Sequence, residues 1–185
     1  MRRTEFVDKI ASKLHEQWRA RCVHPQRWKP IEGGPEIKDK CQGATQKYIE
    51  GLDMDNLPPY IRVNENGSLE IDIKNCEYEN LSPAWQYENH AAAEVVADIL
   101  IAEQNGRNFT LDEVGSIIHD KWLERHGEEE WVKGGELDKP FSELSTYAQN
   151  EDLDQYKVGL EVLGNEKILP DETVKTIANP DGEGK

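Results

Sequence analysis

Cysteine is scarce: Cys22, Cys41 and Cys76 are odd in number and show no C-x-x-C spacing. That sets aside a disulfide scaffold and suits a reducing compartment. Long apolar runs are missing too. No stretch approaches the roughly 18 apolar residues of a membrane span, and Arg2-Arg3 is followed at once by Glu5 and Asp8, with no apolar signal core. The expectation is a soluble, cytoplasmic protein with no membrane partner. Positive charge is in deficit, with 22 Lys and Arg against 37 Asp and Glu, a net −15. An acidic body lacks the counterion-release drive for phosphate backbones, so duplex nucleic acid is excluded as a partner. No Gly-x-Ser-x-Gly elbow, phosphate-binding Walker loop or dinucleotide fingerprint occurs, and Gly33-Gly34 and Gly134-Gly135 are too short to replace one. Catalysis therefore has no support, and neither has a cofactor.

What is present is an echo. Ile10-Ala11-Ser12-Lys13-Leu14-His15-Glu16-Gln17-Trp18 returns 104 positions later as Val114-Gly115-Ser116-Ile117-Ile118-His119-Asp120-Lys121-Trp122. A second echo follows in the same order, Tyr78-Glu79-Asn80-Leu81-Ser82 and then Phe141-Ser142-Glu143-Leu144-Ser145, each ahead of an acidic helical pattern at Glu88-Asn89 and Glu151-Asp152. Two elements recurring in order imply a duplicated supersecondary unit. Two copies are too few for a solenoid, so a pseudo-twofold pair with a cleft between its halves is the expected packing.

Periodicity predicts a mainly α fold. Phe6, Ile10, Leu14 and Trp18 mark a helix over Glu5 to Arg21, with Thr4 as its expected N-cap. A short helix is predicted over 38–52, and a β-hairpin over 60–73 around Asn64-Glu65-Asn66-Gly67. Further helices are expected over Trp85 to Glu103, Leu111 to His126 and Thr146 to Leu163, the second opened by a Thr110/Glu113 capping box. The hairpin has no counterpart in the second copy, which spends about 41 fewer residues between its His and its Leu. The resulting division is repeat 1 over 1–104 with the hairpin inserted, repeat 2 over 105–164, and a polar tail over 165–185. That tail is expected to dock at Ile168-Leu169 and then fray.

His15 with Glu16 and His119 with Asp120 invite a metal reading. A zinc helix needs a second His one turn on, and Trp18 and Trp122 stand nearby instead, so no metal site is expected. The second Trp of each copy, Trp28 and Trp131, falls on a connecting segment where an indole face can serve a ligand. Arg27 and Lys29 flank one and Lys133 follows the other, so a planar group bearing phosphates would find partners on both sides. The bland alternative is that each Trp plugs the seam between the halves. Glu88 and Glu151 read as helix-start acids favoured by the macrodipole.

Together these residues resemble the RyR domain, the repeat of ryanodine receptor calcium channels that also occurs in small microbial and viral proteins. The matching stretches are Leu14-His15-Glu16-Gln17-Trp18 with Trp28 and Tyr78-Glu79-Asn80-Leu81, then Ile118-His119-Asp120-Lys121-Trp122 with Trp131 and Pro140-Phe141-Ser142-Glu143-Leu144. The resemblance implies tandem helical repeats paired about a pseudo-twofold, in a cytosolic module rather than a pore. It also implies an aromatic cleft able to take an adenine nucleotide, with Trp28 and Trp131 as its rings. The candidate ligand-binding residues are then these two with His15, His119, Arg27, Lys29 and Lys133. Two readings stay open: a non-enzymatic module holding a nucleotide-like molecule, and a structural module that contacts another protein with its cleft filled by side chains.

Overall fold

A computed structural model describes residues 1–32 and 41–171. It is mainly helical, with α1 (Arg3–Arg21), α2 (Gln42–Glu50), α3 (Pro83–Gln104), α4 (Leu111–His126) and α5 (Thr146–Leu163). A small antiparallel sheet is built from β1 (Trp28–Pro30), β2 (Ile61–Val63) and β3 (Leu69–Asp72) in the order β1-β3-β2. No helix among the described residues is long and apolar enough to cross a membrane.

The local chemistry explains most boundaries. Thr110 caps α4 by accepting the Glu113 amide, while the Glu113 carboxylate takes the Thr110 amide at 2.8 Å. Ser145 caps α5 by accepting from Ala148. Gly164 ends α5 at φ 53, where a side chain would be strained. At α1 the expectation fails: the helix starts at Arg3, and Thr4 instead gives its amide and hydroxyl to Asp171 Oδ1. A chain segment returning beside the N-terminus thus takes the place of a local cap. Leu169 makes a parallel bridge with Arg2, and Ile168 is buried. The frayed stretch expected beyond it, and the start of the helix predicted over 38–52, lie outside the described residues.

The predicted hairpin forms with Ile61 opposite Ile71 and a turn at Gly67, φ 80. A third strand was not expected. Trp28, predicted on a loop, pairs with Asp72 in β1. The buried Asp72 carboxylate secures this strand by accepting from the Arg27 and Lys74 amides at 2.8 and 3.1 Å.

Four helices enclose the core. Helix α1 packs on α3, α4 on α5, α5 also on α1, and α4 also on α3. Phe6, Ile10, Val96, Leu100, Val114 and Val158 are all at most 2% exposed between them. Two glycines permit the closest approaches. A Cβ on Gly115 would stand 2.1 Å from Phe141 Cζ, and one on Gly159 would stand 2.3 Å from Val96 Cγ1. Overpacking of this kind costs about 1–3 kcal/mol, above the roughly 1 kcal/mol that Ala gains over Gly in a helix. Thermal melts should therefore show Gly115→Ala lowering Tm. Gly43→Ala, in α2 with nothing within 4 Å of its Cβ, should leave Tm unchanged or raise it.

Candidate functional site

Each echo segment places a buried His at the same task. His15 Nε2 donates to the Cys76 carbonyl at 2.9 Å, two residues before Tyr78, and His119 Nε2 donates to the Lys139 carbonyl at 2.9 Å, two residues before Phe141. Each imidazole also stacks on the Trp three residues on, with centroids 5.7 Å apart for His15–Trp18 and 5.9 Å for His119–Trp122. Gln86 and Gln149 then give their amides to the Tyr78 and Phe141 carbonyls, both at 2.9 Å. Burial lowers the His15 pKa, with Arg19 adding to the effect, so the ring is neutral in the fold. Burial raises the Asp152 pKa beside His119 Nδ1, which lies 3.1 Å from Oδ2.

A cavity of about 440 Å³ opens where α1, α3, α4 and α5 meet, a size typical of small-molecule sites. Trp18, Trp85, Trp122 and Trp131 line it. In a protein of net charge −15, its lining carries Arg21, Arg27, Lys29 and Arg125 against Glu88, Glu151 and Asp154. Two ion pairs cross it reciprocally: Arg21 on α1 reaches Glu151 on α5 at 2.7 Å, and Arg125 on α4 reaches Glu88 on α3 at 3.2 Å. Arg27 lies 5.8 Å from the Trp18 ring and Lys29 lies 5.4 Å from the Trp85 ring. Neither makes an ion pair among the described residues, so both cations are available to an anion.

A hydrogen-bonded chain sets one wall. Glu88 Oε2 receives His126 Nε2 at 2.8 Å, His126 Nδ1 meets Glu129 Oε1 at 2.8 Å, and Glu129 Oε2 receives the Trp131 indole N–H at 2.6 Å. Carboxylates facing both ring nitrogens suit the doubly protonated imidazole. Trp122 is flanked by His119 and His126 and meets Trp131 edge-on at 5.8 Å. Trp131, 57% exposed, is the ring with a face to offer. Burial works to raise the Glu88 pKa, but His126 and Arg125 outweigh it and hold the carboxyl below its ordinary value.

The structure gathers His15, Arg27, Lys29 and Trp131 of the expected residues at this cavity and leaves three out. Trp28 does not line it: β-pairing turns its ring to Arg62, whose guanidinium sits 4.1 Å from the centroid. His119 is 2% exposed and borders a neighbouring pocket of about 350 Å³ with Tyr147 and Glu136. Lys133 is held by Glu128 at 3.2 Å. Trp85 takes the place expected of Trp28, its indole N–H fixed by the Pro30 carbonyl at 3.0 Å. From the sequence, Trp85 is expected at a helix start, and Trp18 and Trp122 on helices where a metal motif would need a second His. The available signal for Trp18 and Trp122 was the half-buried position that a Trp three residues after a buried His must take on a helix.

Among the described residues, no group of three or more His, Cys, Asp or Glu gathers as a metal site. Burial pushes the Cys76 thiol up to about 12, so it is no nucleophile at neutral pH. Compared with protein-family models, curated proteins and solved structures, the chain finds no match in any of the three.

The pKa shifts set a pH dependence. A neutral buried His binds fewer protons folded than unfolded, so its contribution is full above roughly pH 6.5 and is lost as pH falls below it. The depressed Glu88 carboxyl acts lower, its contribution being lost as pH falls from about 4.3 through the folded value. Between pH 7 and pH 5 the His15 contribution should appear as a difference in denaturant melts, the unchanged chain losing more stability, or gaining less, than a variant without this imidazole. His15→Gln is such a variant and should leave the more acidic limb in place.

Proposed function

We propose that the chain is a tandem RyR-like module of two repeats related by a pseudo-twofold, and that the cleft between them holds an adenine nucleotide or a nucleotide-derived signal without catalysing a reaction on it. The support for the duplication is the matched set of His–carbonyl, His–Trp and Gln–carbonyl contacts. The two ion pairs add to it, because reciprocal pairing of α1 with α5 and of α4 with α3 is what twofold symmetry requires of a contact that joins two copies. Repeat 1 is then α1 with α3, repeat 2 is α4 with α5, and α2 with the three strands fills the insertion.

The observation that carries the ligand reading is the tryptophan-lined cavity with two cations, Arg27 and Lys29, that make no ion pair among the described residues, on an otherwise acidic protein. Stacking of a base on an indole contributes about 1–3 kcal/mol, and Arg27 and Lys29 supply charge-assisted bonds for a phosphate chain. In place of the expected Trp28–Trp131 clamp, Trp131 shares the cavity lining with Trp18, Trp85 and Trp122.

Calorimetric titration with ATP, ADP-ribose and adenosine tests this. ATP and ADP-ribose should bind, quench Trp fluorescence and raise Tm, since a ligand held by the native state alone stabilises it. Trp131→Ala should weaken all three by about 5- to 150-fold, the range that 1–3 kcal/mol implies. Arg27→Ala with Lys29→Ala should weaken the phosphate-bearing ligands and spare adenosine. Failure of all three at millimolar concentration would remove the ligand and leave a protein-interaction module.

A further inference from the structure

The pocket of about 350 Å³ beside the large cavity lies between the turn Glu136–Asp138 and the start of α5. It is built like the wall that α1 and α3 give to the large cavity. Ala84, Trp85 and Asn89 of α3 line the large cavity with His15 and Trp18. Tyr147, Ala148 and Asp152, at the matched positions of α5 counted from the Tyr78 and Phe141 echoes, line the smaller pocket with His119 and Trp122. On the repeat reading, Ala148 leaves space where the first copy carries the Trp85 indole. The charge is also reversed. Arg27 and Lys29 border the first wall, whereas among the described residues no Lys or Arg lines the smaller pocket, which carries Glu136, Glu151 and Asp152.

Each of these acids engages one oxygen with the protein. Glu136 Oε1 receives the Ser145 amide at 2.9 Å, Glu151 Oε1 meets Arg21 at 2.7 Å, and Asp152 Oδ2 lies 3.1 Å from His119 Nδ1. Asp152 is the most buried of them, 8% exposed. Among the described residues, the unpaired polar side-chain atoms that water cannot reach are Thr45 Oγ1, Ser82 Oγ and Glu88 Oε1. Asp152 Oδ1 receives no hydrogen bond either and is not one of these, so it keeps accessible surface. Asp152 borders this pocket and not the large cavity, which places that surface in the pocket. Because His119 Nε2 donates to the Lys139 carbonyl, the contact of Nδ1 with Oδ2 holds one proton, and Oδ1 is an acceptor whichever group carries it. Burial raises the Asp152 pKa, as expected of a carboxyl short of positive charge. We infer that the pocket binds a small organic cation, its ammonium or guanidinium N–H groups donating to Asp152 Oδ1 and Glu136 and its apolar stem lying against Tyr147 and Leu137. A phosphate here would face three acids, so the pocket does not extend a nucleotide site. The inference stands apart from the nucleotide reading, since either cavity can be filled without the other.

Butylguanidine and butyltrimethylammonium share a stem and a single positive charge, and the first alone has N–H donors. General attraction to an acidic protein is therefore equal for the two. In NMR titrations of the full chain, butylguanidine should give saturable shifts at the Tyr147 ring and the Trp122 indole. It should bind about 10- to 150-fold more tightly than butyltrimethylammonium, the range expected for a hydrogen bond to a charged group. Asp152→Asn gives α5 the amide that α3 already carries as Asn89, and should weaken butylguanidine about 10-fold or more while leaving the other cation nearly unchanged. Glu136→Gln keeps an oxygen for the Ser145 amide and should weaken butylguanidine less. Equal binding of the two cations, no saturable shift at millimolar concentration, or an affinity untouched by both substitutions would overturn the site. Tighter binding of a doubly capped arginine than of butylguanidine would assign the pocket to a partner protein's side chain and overturn the small-molecule reading. If Asp152→Asn does not fold, Glu136→Gln and the two cations on the unchanged chain still decide.

Discussion

Two buried imidazoles tie the connecting segments of this protein to its helices. A neutral His donating Nε2–H to a carbonyl of a distant segment satisfies an acceptor that burial would otherwise leave unpaired. His15 does this for Cys76 across 61 residues and His119 for Lys139 across 20. Each bond fixes the entry of the next long helix, because the aromatic two residues on, Tyr78 or Phe141, is buried against the core and a Ser-headed helix follows at once. The His rings also hold Trp18 and Trp122 by stacking, so one side chain sets both the chain path and the orientation of an indole at the cleft. The loop tied down by His15 is longer than the one tied down by His119, and the tie is of the same kind in both.

The cleft follows from that geometry. With the helices crossing in reciprocal pairs, the Arg one turn beyond each Trp meets the Glu near the start of the opposite long helix, and both charges stay near solvent. Arg21 and Glu151 are 54% and 40% exposed, so their pairing contributes little to stability. Arg125 is 15% exposed and shares Glu88 with His126. The asymmetry matters for function. Beside α4 and α5 the charges sit in a hydrogen-bonded chain ending at Trp131, while Arg27 and Lys29, next to Trp18 and Trp85, make no ion pair among the described residues. One side of the cavity carries the Trp131 ring and the other the Arg27 and Lys29 cations, and on the proposed reading this arrangement would lower the ordering cost of binding a molecule that has both a ring and an anion.

Much of the helical scaffold was legible in the sequence. The helices starting at Thr110 and Ser145, the hairpin around Gly67 and the docking of Ile168 follow from caps, alternation and apolar spacing, which are local properties. The errors share a cause: they depend on partners remote in the chain. Thr4 is no cap because Asp171 arrives from the far end. Trp28 leaves the cleft because β3, some forty residues later, draws it into a strand, and the buried Asp72 that secures this is not recognisable as a structural acid from its neighbours. Trp85 enters the cleft because Pro30 offers it a carbonyl. At Glu88 the macrodipole was sufficient reason for an acid early in a helix, and only the three-dimensional arrangement reveals that one oxygen carries two donors and the other, among the described residues, none.

The most direct test of the account is the NMR spectrum of the five indole N–H groups during an ATP titration. The aromatic cleft predicts large shifts at Trp131, Trp18, Trp85 and Trp122 and little movement at Trp28, whose ring lies against Arg62 on the sheet. Saturation with no movement of the four cleft indoles, or a response confined to Trp28, would contradict it.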